Sequence, residues 1–239
     1  MHHLNILLEL AQTARTDPER VARTGLPEII LAEHKSIVQC LEVAATLLER
    51  EGRAILSRIS PELLNALHER FPGMVEPGRS GTTAVVRHPA HTVTLTGGRV
   101  GLLAAGTSDI PVAEEAALIC RELGCTVLTA YDVGVAGLHR LHTPLTAMLH
   151  EATVDVLLVV AGMDGALPSV VAGLVDVPVI GLPTSVGYGM GGSGIAALLS
   201  MLQTCVPGLA VVNIDNGVGA GAMAARIANR VAAERAKGS

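Results

Sequence analysis

Val100-Gly101-Leu102-Leu103-Ala104-Ala105-Gly106-Thr107-Ser108-Asp109-Ile110-Pro111-Val112-Ala113-Glu114-Glu115-Ala116 joins an unbroken apolar run to a helix start through small polar residues. The run to Ala105 reads as a strand buried on both faces, the form that parallel sheets require. Pro111 suits a first helical turn, where its missing N–H leaves no bond unmade. Ser108 or Asp109 is then the expected N-cap, with free backbone N–H groups and the positive end of the helix dipole just beyond the strand. Such a junction can hold a phosphate or carboxylate, although an ordinary capped helix carries the same signature.

Outward from this stretch the pattern repeats. Strands near 100–105, 126–131, 155–160, 177–182 and 209–214 alternate with helical stretches near 111–123, 138–151, 168–174, 193–204 and 218–235. The alternation predicts an α/β fold with a doubly wound parallel sheet. Ligands of such sheets lie outside the carboxyl ends of the strands, which places 106–109, 132–140, 161–168, 183–194 and 213–217 around one crevice. No GxxxxGK[ST] occurs and no GxGxxG follows the first strand, so a P-loop is excluded and the dinucleotide fingerprint is missing.

The first part of the chain reads as a smaller α/β unit. Residues 3–24 look helical, Pro27 to Ala32 extended, 35–51 helical, and Ala54 to Ile59 a strand. Ser60-Pro61-Glu62 opens another helix, and Thr82 to Val86 reads as a further strand. His88-Pro89-Ala90-His91 marks the expected boundary, giving a small N-terminal α/β domain over 1–91 and an α/β catalytic domain over 92–239. A short strand at 92–95 and a turn at Gly97-Gly98 are expected to follow it.

Composition narrows the function. The 239 residues are 49% hydrophobic but 1% aromatic, with 26 Gly and no Trp, so the core must come from Ala, Val, Leu and Ile in closely approaching elements. A net charge of −5 gives no global attraction to nucleic acid or acidic membranes. No apolar run has the length of a membrane span and the N-terminus lacks a signal-peptide pattern, so a cytoplasmic protein acting on small molecules is expected. Cys40, Cys120, Cys125 and Cys205 form no CxxC, which suggests neither a zinc site nor a disulfide framework.

Three segments carry candidate chemistry. Tyr131-Asp132-Val133-Gly134-Val135-Ala136-Gly137-Leu138-His139-Arg140 places an acid, an imidazole and a guanidinium in one strand-to-helix connection. His139 can transfer protons and Arg140 can hold a phosphate or carboxylate bidentately; both also fit an ordinary exposed helix start. Asp164, between Gly162-Met163 and Gly165, can act as a base or simply shape a turn. Gly187 to Gly194 has the composition of a ligand-covering or subunit-contact loop, or of a linker. Cys205 follows a helix whose dipole disfavours a thiolate, which by itself reads as a packing cysteine. Asp215 or Asn216 can cap the last helix.

Assembled, these segments resemble the class I aminoimidazole ribonucleotide carboxylase/mutase superfamily, and more closely its LarB branch. The resemblance rests on Ala105-Gly106-Thr107-Ser108-Asp109, Pro111-Val112-Ala113-Glu114-Glu115-Ala116, Tyr131 to Gly137, His139-Arg140-Leu141, Pro183-Thr184-Ser185-Val186-Gly187-Tyr188-Gly189 and Val212-Asn213-Ile214-Asp215-Asn216-Gly217. It is strong over about 84–230; the N-terminal third matches mainly through Leu26-Pro27-Glu28-Ile29-Ile30 and Lys35.

The resemblance implies a parallel α/β sandwich assembled as a homo-octamer. It also implies carboxylation of the pyridinium ring of nicotinic acid adenine dinucleotide by CO2 or bicarbonate, with hydrolysis of the phosphoanhydride to release AMP, for nickel-pincer cofactor biosynthesis. A thiolate is needed because a pyridinium is too electron-poor to attack carbon dioxide; thiolate addition makes an enamine-like dihydropyridine that does. A base then takes the ring proton, and the thiolate leaves as aromaticity returns. On the resemblance Cys205 is the nucleophile, and the cationic ring favours its thiolate. Asp164 is the base, standing where the family has Glu and shortening the reach by one methylene. Ala32-Glu33-His34 departs from the family's glycines before Lys35. His139 is a further catalytic candidate. Thr107, Ser108, Asp109, Asp132, Arg140, Ser185 and Tyr188 are expected to bind substrate. No tightly bound cofactor or protein-held metal is implied, although phosphoanhydride hydrolysis can call for Mg²⁺. Two alternatives stand beside this reading: an aminoimidazole ribonucleotide carboxylase or mutase of purine biosynthesis, and a non-catalytic nucleotide-binding protein.

Overall fold

The computed structural model describes residues 20–238. These residues divide between Thr92 and Val93 into two compact units. Residues 3–19 of the first expected helix lie outside the described residues; Arg20–Thr24 (α1) is helical.

In the first unit β1 (Ile29–Leu31), β2 (Arg53–Ser57), β3 (Val75–Pro77) and β4 (Thr83–Arg87) form a sheet of order β1-β2-β4-β3, with β1 parallel to β2 and the other pairs antiparallel. Helices α2 (Ile37–Glu51) and α3 (Pro61–Arg70) cover it. Ser36 and Gln39 form a reciprocal capping box on α2, and Gly52 ends it in the left-handed conformation that glycine adopts without strain. Ser60 caps α3 with Pro61 in the first turn. Ile30, Leu47, Leu56, Leu67 and Val86 fill the core. The strand β3 was not legible in advance: Glu76 and Pro77 are exposed, and its extended form comes from pairing with β4.

The second unit is the expected parallel doubly wound sheet. Strands β5 (Arg99–Ala104), β6 (Thr126–Ala130), β7 (Val156–Ala161), β8 (Val179–Pro183) and β9 (Leu209–Val211) lie in the order β6-β5-β7-β8-β9, all parallel. Alternate residues of the central strands serve two cores. Val100, Leu102, Ala104, Val156, Leu158 and Val160 face α4 (Ile110–Glu122) and α8 (Gly217–Lys237). Leu103, Leu157, Val159 and Ala161 face α5 (His139–Thr146), α6 (Ala166–Ala172) and α7 (Ile195–Leu202). Each wholly buried leucine here contributes about 2 kcal/mol. The small-residue composition has a direct use: Ala113, Ala116 and Ala117 of α4 meet Ala220, Ala224 and Ala225 of α8 in one core. A Cβ on Gly221 would stand 2.4 Å from the Ala116 carbonyl oxygen.

Three expectations are corrected. Residues 92–95 form no strand: Leu95 is exposed, no strand lies alongside, and the segment is held instead by the Thr96 N–H and hydroxyl on the Gly124 carbonyl. The last strand stops at Val211 rather than 214, because Asn213 to Asn216 turn into the cap of α8, where the Asn216 side chain accepts from Gly219 N–H. The helix expected from 168 begins at Ala166, on an Asp164 side chain that accepts the Ala166 N–H.

Candidate functional site

The carboxyl ends of β5, β6, β7 and β8 open onto a cavity of about 530 Å³. Thr107, Ser108, Asp109, Asp132, Arg140 and Asp164 line it, with Gly106, Gly134 and Gly162 forming backbone walls. Six of the ten expected site residues therefore meet in one place.

The Gly106 junction folds as a short 3-10 turn, Thr107–Asp109, running into α4 with Pro111 in its first turn. Asp109 stands at the N-cap position, one of the two expected residues, but its side chain does not cap. No side chain caps α4; Asp109 turns back, accepting the Gly106 N–H at 2.9 Å and the Thr184 hydroxyl at 2.7 Å. Asp109 is buried, and desolvation raises its pKa above the ordinary aspartate value, with nearby Asp215 adding to the rise. Hydrogen bonds from Thr184, Gly106 and Gly162 oppose that shift. Thr107 and Ser108 stay exposed at the cavity wall.

Asp132 occupies a left-handed backbone position, φ 59°, and its carboxylate pairs with Arg140. Gly137 leaves room for this placement: a Cβ there would stand 2.8 Å from Arg140 Nε and push the guanidinium aside. Behind them Tyr131 donates its hydroxyl to the buried Glu114, which also pairs with Arg121. His139, the first residue of α5, is exposed and does not line the cavity.

Asp164 is exposed at the cavity edge, its Oδ1 receiving only the weak 3.3 Å bond from Ala166 N–H. That leaves lone pairs for a proton acceptor's work. Its loop is stitched to the one after β8 through Met163 N–H on the Val186 carbonyl, at 2.8 Å. Gly162 is obligatory at this crossing: a Cβ would stand 2.3 Å from the Val186 carbonyl oxygen and 2.6 Å from Thr184 Oγ1.

Ser185, Tyr188 and Cys205 are not brought to the cavity of their own chain. Ser185 donates its N–H to Asp215 at 2.8 Å, and Tyr188 is 82% exposed on the glycine loop. Cys205 lies between the end of α7 and the start of β9, hence at the amino edge of the parallel sheet, opposite the cavity. Its neighbour Val206 lies near Gly173, in the connection entering β8. The packing reading of Cys205 is also corrected: it is exposed, whereas Cys40, Cys120 and Cys125 are buried. Burial pushes the Cys125 thiol up to about 11 and the Cys120 thiol higher still, which keeps both protonated.

Sequence reading did not single out Thr184, and it read Asp215 as a possible helix cap rather than as the acceptor that ties Ser185. Thr184 carried one signal, a hydroxyl at the end of the wholly buried β8. Among the described residues no group of three or more His, Cys, Asp or Glu is placed to hold a metal, and no helix is long and apolar enough to cross a membrane.

Comparison with known proteins agrees with this fold. The AIR carboxylase family model matches residues 99–237, and the LarB/PurE-like N-terminal domain matches residues 8–87. An uncharacterized protein of Methanocaldococcus jannaschii is 42% identical over 231 residues, covering 94% of this chain and 88% of its own length. A probable N5-carboxyaminoimidazole ribonucleotide mutase of Methanothermobacter thermautotrophicus is 35% identical over 133 residues, 54% of this chain and 37% of its own. The N5-carboxyaminoimidazole ribonucleotide mutase of Methanocaldococcus jannaschii is 35% identical over 122 residues, 50% of this chain and 72% of its own.

Proposed function

Because the chain belongs to the AIR carboxylase, or PurE-like, family and to its LarB branch, we propose that it carboxylates the pyridinium ring of nicotinic acid adenine dinucleotide and hydrolyses the phosphoanhydride, releasing AMP. The observation that carries this reading is the single cavity that gathers an anion-binding turn, a guanidinium and a free carboxylate. Thr107, Ser108 and the turn's backbone take a phosphate, Arg140 takes charge from the same anion, and Asp164 accepts the ring proton after carboxylation. A magnesium ion, where the hydrolysis uses one, would be held by the substrate phosphates and water and would neutralise charge on the phosphoanhydride.

The reaction needs a nucleophile, and Cys205 stands at the wrong edge of its own sheet. On this reading the thiolate comes from a neighbouring copy in a homo-oligomer, the octamer that the LarB resemblance implies. The exposed face of α7, Ile195, Leu199 and Leu202, leads directly to Cys205 and supplies an apolar contact for that copy. Tyr188 and Ser185 then belong to the contact loop beside the shared site.

The test is incubation with nicotinic acid adenine dinucleotide, ¹³C-bicarbonate and a magnesium salt, followed by mass spectrometry. A dicarboxylated mononucleotide carrying ¹³C, with stoichiometric AMP, is expected. No product, with wild type and Cys205→Ala equally inert, overturns the proposal. One second reading has an observation in its favour: the mutases that resemble the crevice half, together with His139 next to Arg140. An aminoimidazole ring is already electron-rich, so in that case Cys205→Ala retains full activity on N5-carboxyaminoimidazole ribonucleotide.

A further inference from the structure

Met163 lines the cavity beside Asp164 and keeps 45% of its surface exposed. Its backbone sits at φ 51°, in the left-handed region that L side chains enter only with strain. Among the described residues the other non-glycine members of that region are Arg58, Asp132, Thr153, Ser193 and Asp215, so Met163 is the one apolar side chain held there. Asp and Ser offset such strain by bonding to nearby backbone, and a thioether does not. Nor does the tie from Met163 N–H to the Val186 carbonyl account for the residue, because glycine makes the same bond without strain.

Position in the cavity supplies a reason for the side chain. The strand order β6-β5-β7-β8 gives the cavity two halves. The β5 and β6 side brings the anion-binding Thr107, Ser108 and Arg140, and the β7 and β8 side brings Met163, Leu167 and Val186 next to Asp164. A Cβ on Gly187 would lie 3.5 Å from Met163 Sδ, so the thioether rests against the backbone that opens the glycine loop. A nucleotide with its phosphate on the first half presents its base to the second. Backbone strain held at a binding cavity by a side chain that could be dispensed with elsewhere marks that side chain as the part in use.

We infer that Met163 is a specificity-determining residue, whose side chain covers the heteroaromatic ring of a ribonucleotide and holds it against Asp164. A polarizable sulfur makes a favourable contact with an aromatic ring, and its lone pairs are drawn most to a ring that is cationic. The inference rests on the proposed function only for the identity of that ring as a pyridinium.

The test is isothermal titration calorimetry of the full chain with nicotinic acid mononucleotide and with ribose 5-phosphate, which lacks the aromatic ring. Met163→Gly relieves the strain and keeps the Val186 tie, so it should fold with a urea midpoint near that of the wild type. It should bind nicotinic acid mononucleotide about tenfold more weakly, and ribose 5-phosphate within about twofold of the wild type. Met163→Leu should recover most of the lost affinity, since it restores an apolar side chain of similar volume. Equal losses for the two ligands, or none for nicotinic acid mononucleotide, overturn the inference. Should Met163→Gly not fold, Met163→Gln keeps the length and the backbone strain but ends in an amide, and it must show the same selective loss. If the wild type binds nicotinic acid mononucleotide no tighter than ribose 5-phosphate, 5-aminoimidazole ribonucleotide is titrated in its place. A Met163-dependent gain with that ring leaves the ring contact standing while the proposed function fails, and no gain with either ring overturns the inference.

Discussion

Arg140 is paired with Asp132, eight residues before it in the same strand-to-helix connection, so the cation expected to hold the substrate's phosphate is already partly neutralised. Both side chains are substantially exposed, at 38% and 52%. Such a pair is worth about 0–1 kcal/mol, little enough for a doubly charged phosphate to displace Asp132. Arg140→Ala should therefore raise KM for nicotinic acid adenine dinucleotide about tenfold or more, measured by steady-state kinetics. Asp132→Asn should leave KM unchanged or lower it. A rise in KM with Asp132→Asn as large as that of Arg140→Ala would show Asp132 to be a ligand in its own right.

A site shared between copies makes a stronger prediction. Cys205→Ala and Asp164→Ala should each be inactive alone, yet co-expressed and co-purified they should recover roughly a quarter of wild-type activity if random pairing gives half mixed pairs with one intact site of two. Activity that stays at the level of the separate variants would place Cys205 and Asp164 in one chain's site, or remove Cys205 from the reaction.

Gly162→Ala tests the crossing of the loops after β7 and β8. The added methyl meets a backbone carbonyl oxygen at 2.3 Å, which cannot move without breaking the Met163 to Val186 bond. A loss of about 2–4 kcal/mol is expected in urea unfolding. Gly73→Ala, in open space but at φ +73°, should cost only the backbone strain of about 1 kcal/mol.

The raised pKa of Asp109 fixes the sign of a pH effect. In the window between the ordinary value of 3.8 and the raised folded value, the folded state holds a proton that the unfolded state has released. The contribution of Asp109 is thus most favourable below that window and declines as pH rises through it. Stability of the wild type relative to Asp109→Asn should accordingly fall as pH increases above about 4 in denaturation series. A relative gain with rising pH would mean that the three donors outweigh burial.

Much of the second unit was legible because its strands are buried on both faces. Val156 to Ala161 is apolar at every position, and runs of that kind between helical stretches admit few folds other than a parallel sheet. The same logic failed at 92–95, where Val93, Thr94 and Leu95 have strand-forming side chains but no neighbouring strand to pair with. It failed in the opposite sense at Val75–Pro77, which pairs with β4 despite an unpromising sequence. In the site, the cavity residues Thr107, Ser108, Asp132 and Asp164 were identifiable because each sits in a connection after a strand, and Arg140 because it opens the helix that follows one. Thr184 was not, since its partner Asp109 lies 75 residues away.

The sequence by itself determined the α/β alternation, the capped helix start at Ser60, and the edge of the sheet on which a ligand would sit. These depend on periodicity and on side chains within a few residues of one another, which a linear reading can weigh. Only the tertiary structure decided that Asp109 is buried and bonded to Gly106 and Thr184, that Arg140 is held by Asp132, and that Cys205 lies at the opposite edge of its own sheet from the cavity. The physical reason is desolvation. A buried charge must collect donors from wherever the fold brings them, and those donors are distant in sequence.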